Sequence, residues 1–229
     1  MKWILANFVI LISSCSGDSL EFDVLRKNMI ETQIKQRGIK NELVLNAMLE
    51  VKRHNFVPEE YRKLAYTDSP LPIGNEQTIS QPYIVGFMTE KLQVENYHNV
   101  LEIGTGSGYQ AAVLSKISSH VYSIEIISNL AQNAKRVLKE NNYNNITIKI
   151  GDGYKGWVEH APFDRIIVTA APDKIPQELI DQLKPGGKMI IPVGQRYMTQ
   201  YIWLITKQNN GSIYKEKILP VRFVPMVKE

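Results

Sequence analysis

The chain reads as an α/β protein: a mainly parallel sheet with helices on both faces, preceded by helices and closed by an antiparallel C-terminal hairpin. Three observations predict this. Apolar, β-branched runs recur at NVLEIG (99–104), HVYSIE (120–125), ITIKI (146–150), RIIVTA (165–170) and KMIIPVG (188–194). Helix-like stretches near residues 108–118, 128–141 and 174–183 separate most of them, which is the alternation of a parallel sheet. A glycine-rich turn, Gly104, Gly106 and Gly108, follows the first run and opens a helix. Asn209-Asn210-Gly211 lies between QYIWLITKQ and SIYKEKILPV, and an Asn-Gly pair between two such runs signals a hairpin.

The totals agree with one domain of ordinary size. There are 229 residues, 44% hydrophobic and 22% charged, with a formal charge of +4. No basic run is dense enough to argue for nucleic acid, and none is expected as a partner. The single cysteine, Cys15, excludes an intrachain disulfide.

Taken in order, residues 1–15 read MKWILANFVILISSC. Lys2 gives a positive start, Trp3 to Ile12 are apolar except for Asn7, and Ser13 and Ser14 are small. That is the order of a signal peptide, and the run is too short to span a bilayer as a helix. Ile12-Ser13-Ser14-Cys15 also resembles a bacterial lipoprotein processing site, at which Cys15 would be lipidated and become the new N-terminus. An ordinary buried N-terminal helix with a stray cysteine is the alternative. The expected organisation is a signal peptide over 1–14 and a single domain over 15–229. Within it a helical extension spans about 18–95 and a ligand-binding core about 96–229.

The front opens with Asp18 and Glu21, a helix-start pairing. Phe22, Leu25, Met29 and Ile34 follow at roughly helical spacing, and Gly38 can stop the helix. Asn41 can cap a second helix with Leu43, Val44, Ala47, Met48 and Val51 on its buried face. RHNFVPEEYRKLAY and SPLPIG read as loops, since Pro58, Pro70 and Pro72 break any long helix.

Open sheets of this kind bind ligands beyond the carboxyl ends of their strands. The glycine turn, Glu125 and Asp152 all fall at such ends. Glycine leaves room for close approach of a ligand, and the helix that follows offers free N–H groups. A dinucleotide fingerprint fails because Tyr109 stands where a third Gly or Ala is wanted, and no Gly-Lys-Ser/Thr follows for a phosphate loop. Glu125, about 20 residues beyond the first glycine, can accept hydrogen bonds from both ribose hydroxyls. Asp152, flanked by Gly151 and Gly153, either faces an adenine amino group or simply makes the turn. The residues alone therefore give an adenosine-type ligand. Ser80, before a helical run with Pro82 near its start, reads first as a helix N-cap. His54, His98, His120 and His160 show no ligand spacing, so no metal site is expected, and Trp157 and Trp203 read as core.

LEIGTGSG, Glu125 and GDG, in that order, resemble the class I S-adenosylmethionine-dependent methyltransferases, which have a Rossmann-like three-layer sandwich. The resemblance implies S-adenosyl-L-methionine as methyl donor and adds Glu102, two before the first glycine, to the cofactor site. GNEQTISQPYIV, RHNFVPEEYRKLAY, FDRIIVTAAPDKIPQELIDQLKPGGKMIIPVG and VRFVPM resemble the protein-L-isoaspartate O-methyltransferases across roughly residues 25–227. That implies methyl transfer to isoaspartyl-containing proteins and peptides, with Ser80 at the catalytic position. It also places Thr78, Ile79, Ser80, Gly104, Gly106, Ser107, Ile126, Asp152 and Gly153 around the cofactor. Ser80, Val221, Phe223 and Val224 would hold the substrate peptide. The same donor site would serve a methyltransferase of small molecules; residues 70–85 and 220–226 argue for the peptide. The N-terminus departs from the family, whose members are usually cytoplasmic. Export predicts a bacterial cell-envelope lipoprotein, attached to the membrane through Cys15.

Overall fold

The computed structural model describes residues 15–228. The expected signal peptide, 1–14, and the Cys15 side chain lie outside the described residues. The front holds α1 (Cys15–Asn28) and α2 (Glu42–Glu50), then a small hairpin of β1 (Leu71–Gly74) and β2 (Gln77–Ile79), then α3 (Pro82–Leu92). The body runs β3 (Asn99–Ile103), α4 (Tyr109–Ser115), β4 (His120–Glu125), α5 (Ser128–Glu140), β5 (Ile146–Ile150) and β6 (Phe163–Val168). It ends with α6 (Gln177–Asp181), β7 (Leu183–Val193), β8 (Gln200–Lys207) and β9 (Ile213–Val221).

Seven strands form one sheet in the order β5-β4-β3-β6-β7-β8-β9. The first five pair in parallel and the last two antiparallel. The chain leaves β3 towards β4 and later returns to β3's other side as β6, so strand order reverses at the carboxyl end of β3. Successive residues of the inner strands face opposite layers. Val100, Ile167 and Ile190 join a core shared with the front, whereas Leu101, Ile166, Met189 and Ile191 join a second core on the far face. The shared core contains Met29, Met48 and Met88 as well as Val113 and Ala134, so front and body pack as one mass.

The front departs from the expected regular helix. After α1 the chain winds as a π-helix over Met29–Ile34 and a tight 3-10 turn over Lys35–Arg37, ending at Gly38 with φ +94°. This i→i+5 winding keeps Met29 and Ile34, five residues apart, both on the buried side with Ile30. Asn41 caps α2 as expected, its side chain accepting from the N–H groups of Leu43 and Val44. Leu43 is 50% exposed, contrary to the expected face. It stands one position off the 44, 47, 48, 51 stripe, and Leu45 is buried instead.

Two regions read as loop or cap also differ. SPLPIG contributes a strand, and β1 turns into β2 through Asn75 and Glu76, both at positive φ, the conformation of a tight two-residue hairpin. Helix α3 begins with Gln81 at the cap and Pro82 in its first turn, so Ser80 lies one residue outside and its hydroxyl is not spent on capping. β7 begins five residues before KMIIPVG, with a register shift against β6 between Phe163 and Arg165. Trp157 is buried, while Trp203 is only partly so. At the β8–β9 turn Gly211 takes φ +84°, its N–H donates to Gln208 O at 2.8 Å, and Asn210 Oδ1 accepts from Ser212 N and Oγ.

Candidate active site

The site begins where β3 ends. Gly104 N donates to Ile124 O at 2.8 Å, which swings the chain across the end of β4. A β-carbon on Gly104 would fall 2.5 Å from Thr169 Oγ1, and Gly104 sits at φ +94°. Only glycine fits there. Thr169 Oγ1 in turn donates towards Gly104 O at 2.7 Å and Ile103 O at 3.1 Å, joining the ends of β3 and β6. Gly153 is similarly constrained, since a β-carbon would fall 2.3 Å from Ile103 Cγ2.

Glu125 is fixed by the turn it serves. Its Oε2 accepts from Gly106 N at 2.8 Å and its Oε1 from Ile127 N at 2.9 Å. Each oxygen keeps lone-pair capacity for a further donor. A carboxylate held this way, facing a cleft lined by Gly104, Gly106, Ile126 and Gly153, fits a ribose diol. Gly104, Gly106 and Gly153 line that cleft with bare backbone beside the Glu125 carboxylate, so the residues present fit an adenosyl ligand.

Not every expected cofactor residue reaches the cleft. Glu102 is fully buried behind its wall. One carboxylate oxygen pairs with Ser123 Oγ, which meets Thr105 Oγ1 at 2.5 Å, and the other has no hydrogen-bond partner among the described residues. Burial pushes the Glu102 carboxyl up to about 8. Glu102 thus braces the turn from beneath, through two hydroxyls. Asp152 makes its turn, Oδ1 accepting from Tyr154 N at 2.9 Å, and it is Gly153 that lines the cleft. Ser107 is buried, its Oγ accepts from Tyr109 N, and it lines a small recess with Thr78, Ile79 and Ser80.

A second crevice opens beside the first. Ser80, Val221, Phe223 and Val224, the four residues of the expected peptide site, all line it. Thr78, Thr169 and Val224 line both cavities, so the two adjoin. The segment after β9 forms a common wall: Val224 belongs to both, and Pro225, Met226 and Val227 continue along the cleft. Ala171 grips this segment on both sides, its N–H donating to Val224 O and its carbonyl accepting from Met226 N, each at 2.8 Å.

Gln200, buried at the start of β8, holds the same segment: its Oε1 accepts from Phe223 N at 2.5 Å and its Nε2 donates to Phe223 O at 3.2 Å. Thr169 and Gln200 were absent from the sequence expectation. The strand-end rule that marked Glu125 also applies to Thr169 at the end of RIIVTA. Gln200 gave no signal, because its partner lies 23 residues away.

A doubly wound sheet with a cleft at its switch point and a carboxylate placed for a ribose fits the class I S-adenosylmethionine-dependent methyltransferases that the sequence resembles. A family model described as protein-L-isoaspartate(D-aspartate) O-methyltransferase matches residues 25–229. A protein-L-isoaspartate O-methyltransferase of Opitutus terrae is 52% identical over 204 residues, covering 89% of this chain and 87% of its own length. A solved structure of the same name superposes with a TM-score of 0.80 at 30% identity, over 87% of this chain and 65% of that one. A Plasmodium falciparum structure named for the same family, in complex with S-adenosyl-L-homocysteine, superposes with a TM-score of 0.78 at 28% identity, over 89% and 99%. The chain belongs to the protein-L-isoaspartate(D-aspartate) O-methyltransferase family.

Proposed function

We propose that the chain transfers the methyl group of S-adenosylmethionine to the free α-carboxylate of L-isoaspartyl residues in damaged proteins and peptides, starting their repair through a succinimide. The observation that carries this reading is the junction of the two cavities at Thr78 and Thr169, with Ser80 on the crevice side. S-adenosylmethionine, when bound, supplies an electrophilic methyl group. The nucleophile belongs to the peptide: a carboxyl of this type has a pKa of about 3.5 and is already ionised at neutral pH. The chain therefore needs no strong base. Its work is to hold one carboxylate oxygen in line and to exclude water. The Ser80 hydroxyl donates to the carboxylate and orients it, and a neutral donor leaves the oxygen nucleophilic. Glu125 holds the ribose end, and Val224 to Val227 cover the cleft.

Methyl transfer from labelled donor to two peptides, identical except for isoaspartate against aspartate, tests the reading. Labelling of the isoaspartyl peptide alone is expected. Equal labelling would favour a less selective methyltransferase, and none at all would leave only a binding module. The charged, apolar, small-residue order of residues 1–15 supports an exported, lipid-anchored form as a further part of this proposal. Palmitate should label the protein in bacterial cells and not its Cys15→Ala variant; equal labelling of both removes the anchor.

A further inference from the structure

Arg37 stands at the peptide crevice with 43% of its side chain exposed, yet it is fixed. Its guanidinium carbon lies 3.4 Å from the centroid of the Tyr83 ring, over the face. Its Nη1 donates to Asp68 Oδ2 at 2.7 Å. The Asp68 carbonyl accepts from Gln81 Nε2 at 3.0 Å, one residue from Ser80. The end of the front helical run, the loop before β1 and the start of α3 thus meet around one cation. Arg222 also lines the crevice, and the described residues lining it include two arginines and no carboxylate.

Stapling three segments together does not by itself explain a guanidinium at the mouth of a substrate crevice. Asp68 engages one of five N–H donors, so most remain for a ligand. Stacking and the ion pair hold the group in place before anything binds, which lowers the entropy lost on contact. The reacting carboxylate is the wrong partner, since strong pairing would quench its nucleophilicity. The carboxylate of a neighbouring side chain has no such conflict.

We infer that Arg37 is a specificity-determining residue: it reads a side chain flanking the isoaspartate and favours an acidic one, with Arg222 adding to the same field. This rests on the crevice being the peptide site. Asp68 tempers the charge so that neutral flanks are accepted.

The test uses isoaspartyl peptides carrying Glu, Gln or Lys at each of the two positions on either side. At one position at least, kcat/KM should fall from Glu to Gln to Lys by about two- to fivefold per step, the range of a half-exposed ion pair. The difference should sit in KM and shrink as salt screens it. R37Q should collapse the ranking. D68N, which loosens the same loop but keeps the guanidinium, should retain it. A flat ranking in the unaltered protein, or one that survives R37Q, overturns the inference. Absence of labelling in the Gln peptides would instead sink the peptide reading, and this inference with it.

Discussion

Glu125 and Ser80 line adjoining cavities and, on the proposed reading, act on different ligands, so their removal should separate binding from chemistry. Ser80→Ala should slow methyl transfer while cofactor affinity stays nearly intact, measured by single-turnover rates beside titration calorimetry; a large loss of affinity would move Ser80 to the donor side alone. Glu125→Ala should weaken cofactor binding by roughly 1.5–3 kcal/mol, the worth of charge-assisted hydrogen bonds. The loss has two parts, because Glu125 also receives Gly106 N and Ile127 N. An unchanged dissociation constant would exclude it from the site. At this scale the sequence was informative wherever a role is imposed by the backbone: glycines at positive φ and an acid at a strand end announce themselves locally. Arg37, Thr169 and Gln200 did not, since each acquires its role from partners 23 or more residues away.

Among the elements, the β1–β2 hairpin and the segment after β9 matter most, because they wall the site without belonging to the parallel sheet. Gln200 ties the latter to β8 by a two-point amide clamp. Gln200→Ala should raise KM for the isoaspartyl peptide several-fold, more than it lowers kcat, and steady-state kinetics at saturating donor would check this. A fall in kcat alone would mean that the clamp does not set the peptide wall. In the front, Asn41→Ala removes a cap and should cost about 1 kcal/mol in denaturant unfolding. The strands of the body were legible from their apolar runs, and the C-terminal hairpin from Asn-Gly. The β1 strand was not, since Pro70 and Pro72 punctuate it and pairing with Thr78 and Ile79 decides its conformation. The π-helical winding was hidden in a five-residue hydrophobic step that resembles helical spacing loosely.

For the molecule as a whole, one buried and one half-buried group set opposite responses to pH. Burial lifts Glu102 from 4.5 to about 8, so across that window the folded state keeps a proton the unfolded chain has released, and stability falls as pH rises. Burial, with Arg26 and Lys52 nearby, lowers His54 from 6.5 to about 4, so across that window stability falls as pH drops. His54 Nδ1 lies 2.8 Å from Tyr66 OH, which also accepts from Arg26. The two effects oppose one another between 4.5 and 6.5, and only Glu102 acts from 6.5 to 8. Thermal melts should therefore show a decline from pH 6.5 to 8 that Glu102→Gln abolishes, while His54→Gln should let the decline begin near 4.5. Identical profiles for the parent and Glu102→Gln would rule out that proton. The parallel sheet was readable from alternation, but the reversal of strand order that creates the cleft was not, because alternation does not fix which strands become neighbours. The merging of front and body into one core was not, because it depends on which helix faces meet.

A maintenance enzyme of this kind ages by the damage it treats, and Asn210-Gly211 is the pair at which its own clock would run. Cyclisation there needs the Gly211 nitrogen to attack the Asn210 amide carbon, forming a C–N bond as ammonia departs. The turn fastens both reactants, the nitrogen to Gln208 and the amide oxygen to Ser212. Mass spectrometry of stored samples should find Asn210 long-lived in the folded chain, shorter-lived in Ser212→Ala, and shortest in the excised hairpin; equal lifetimes would mean the turn offers no shelter.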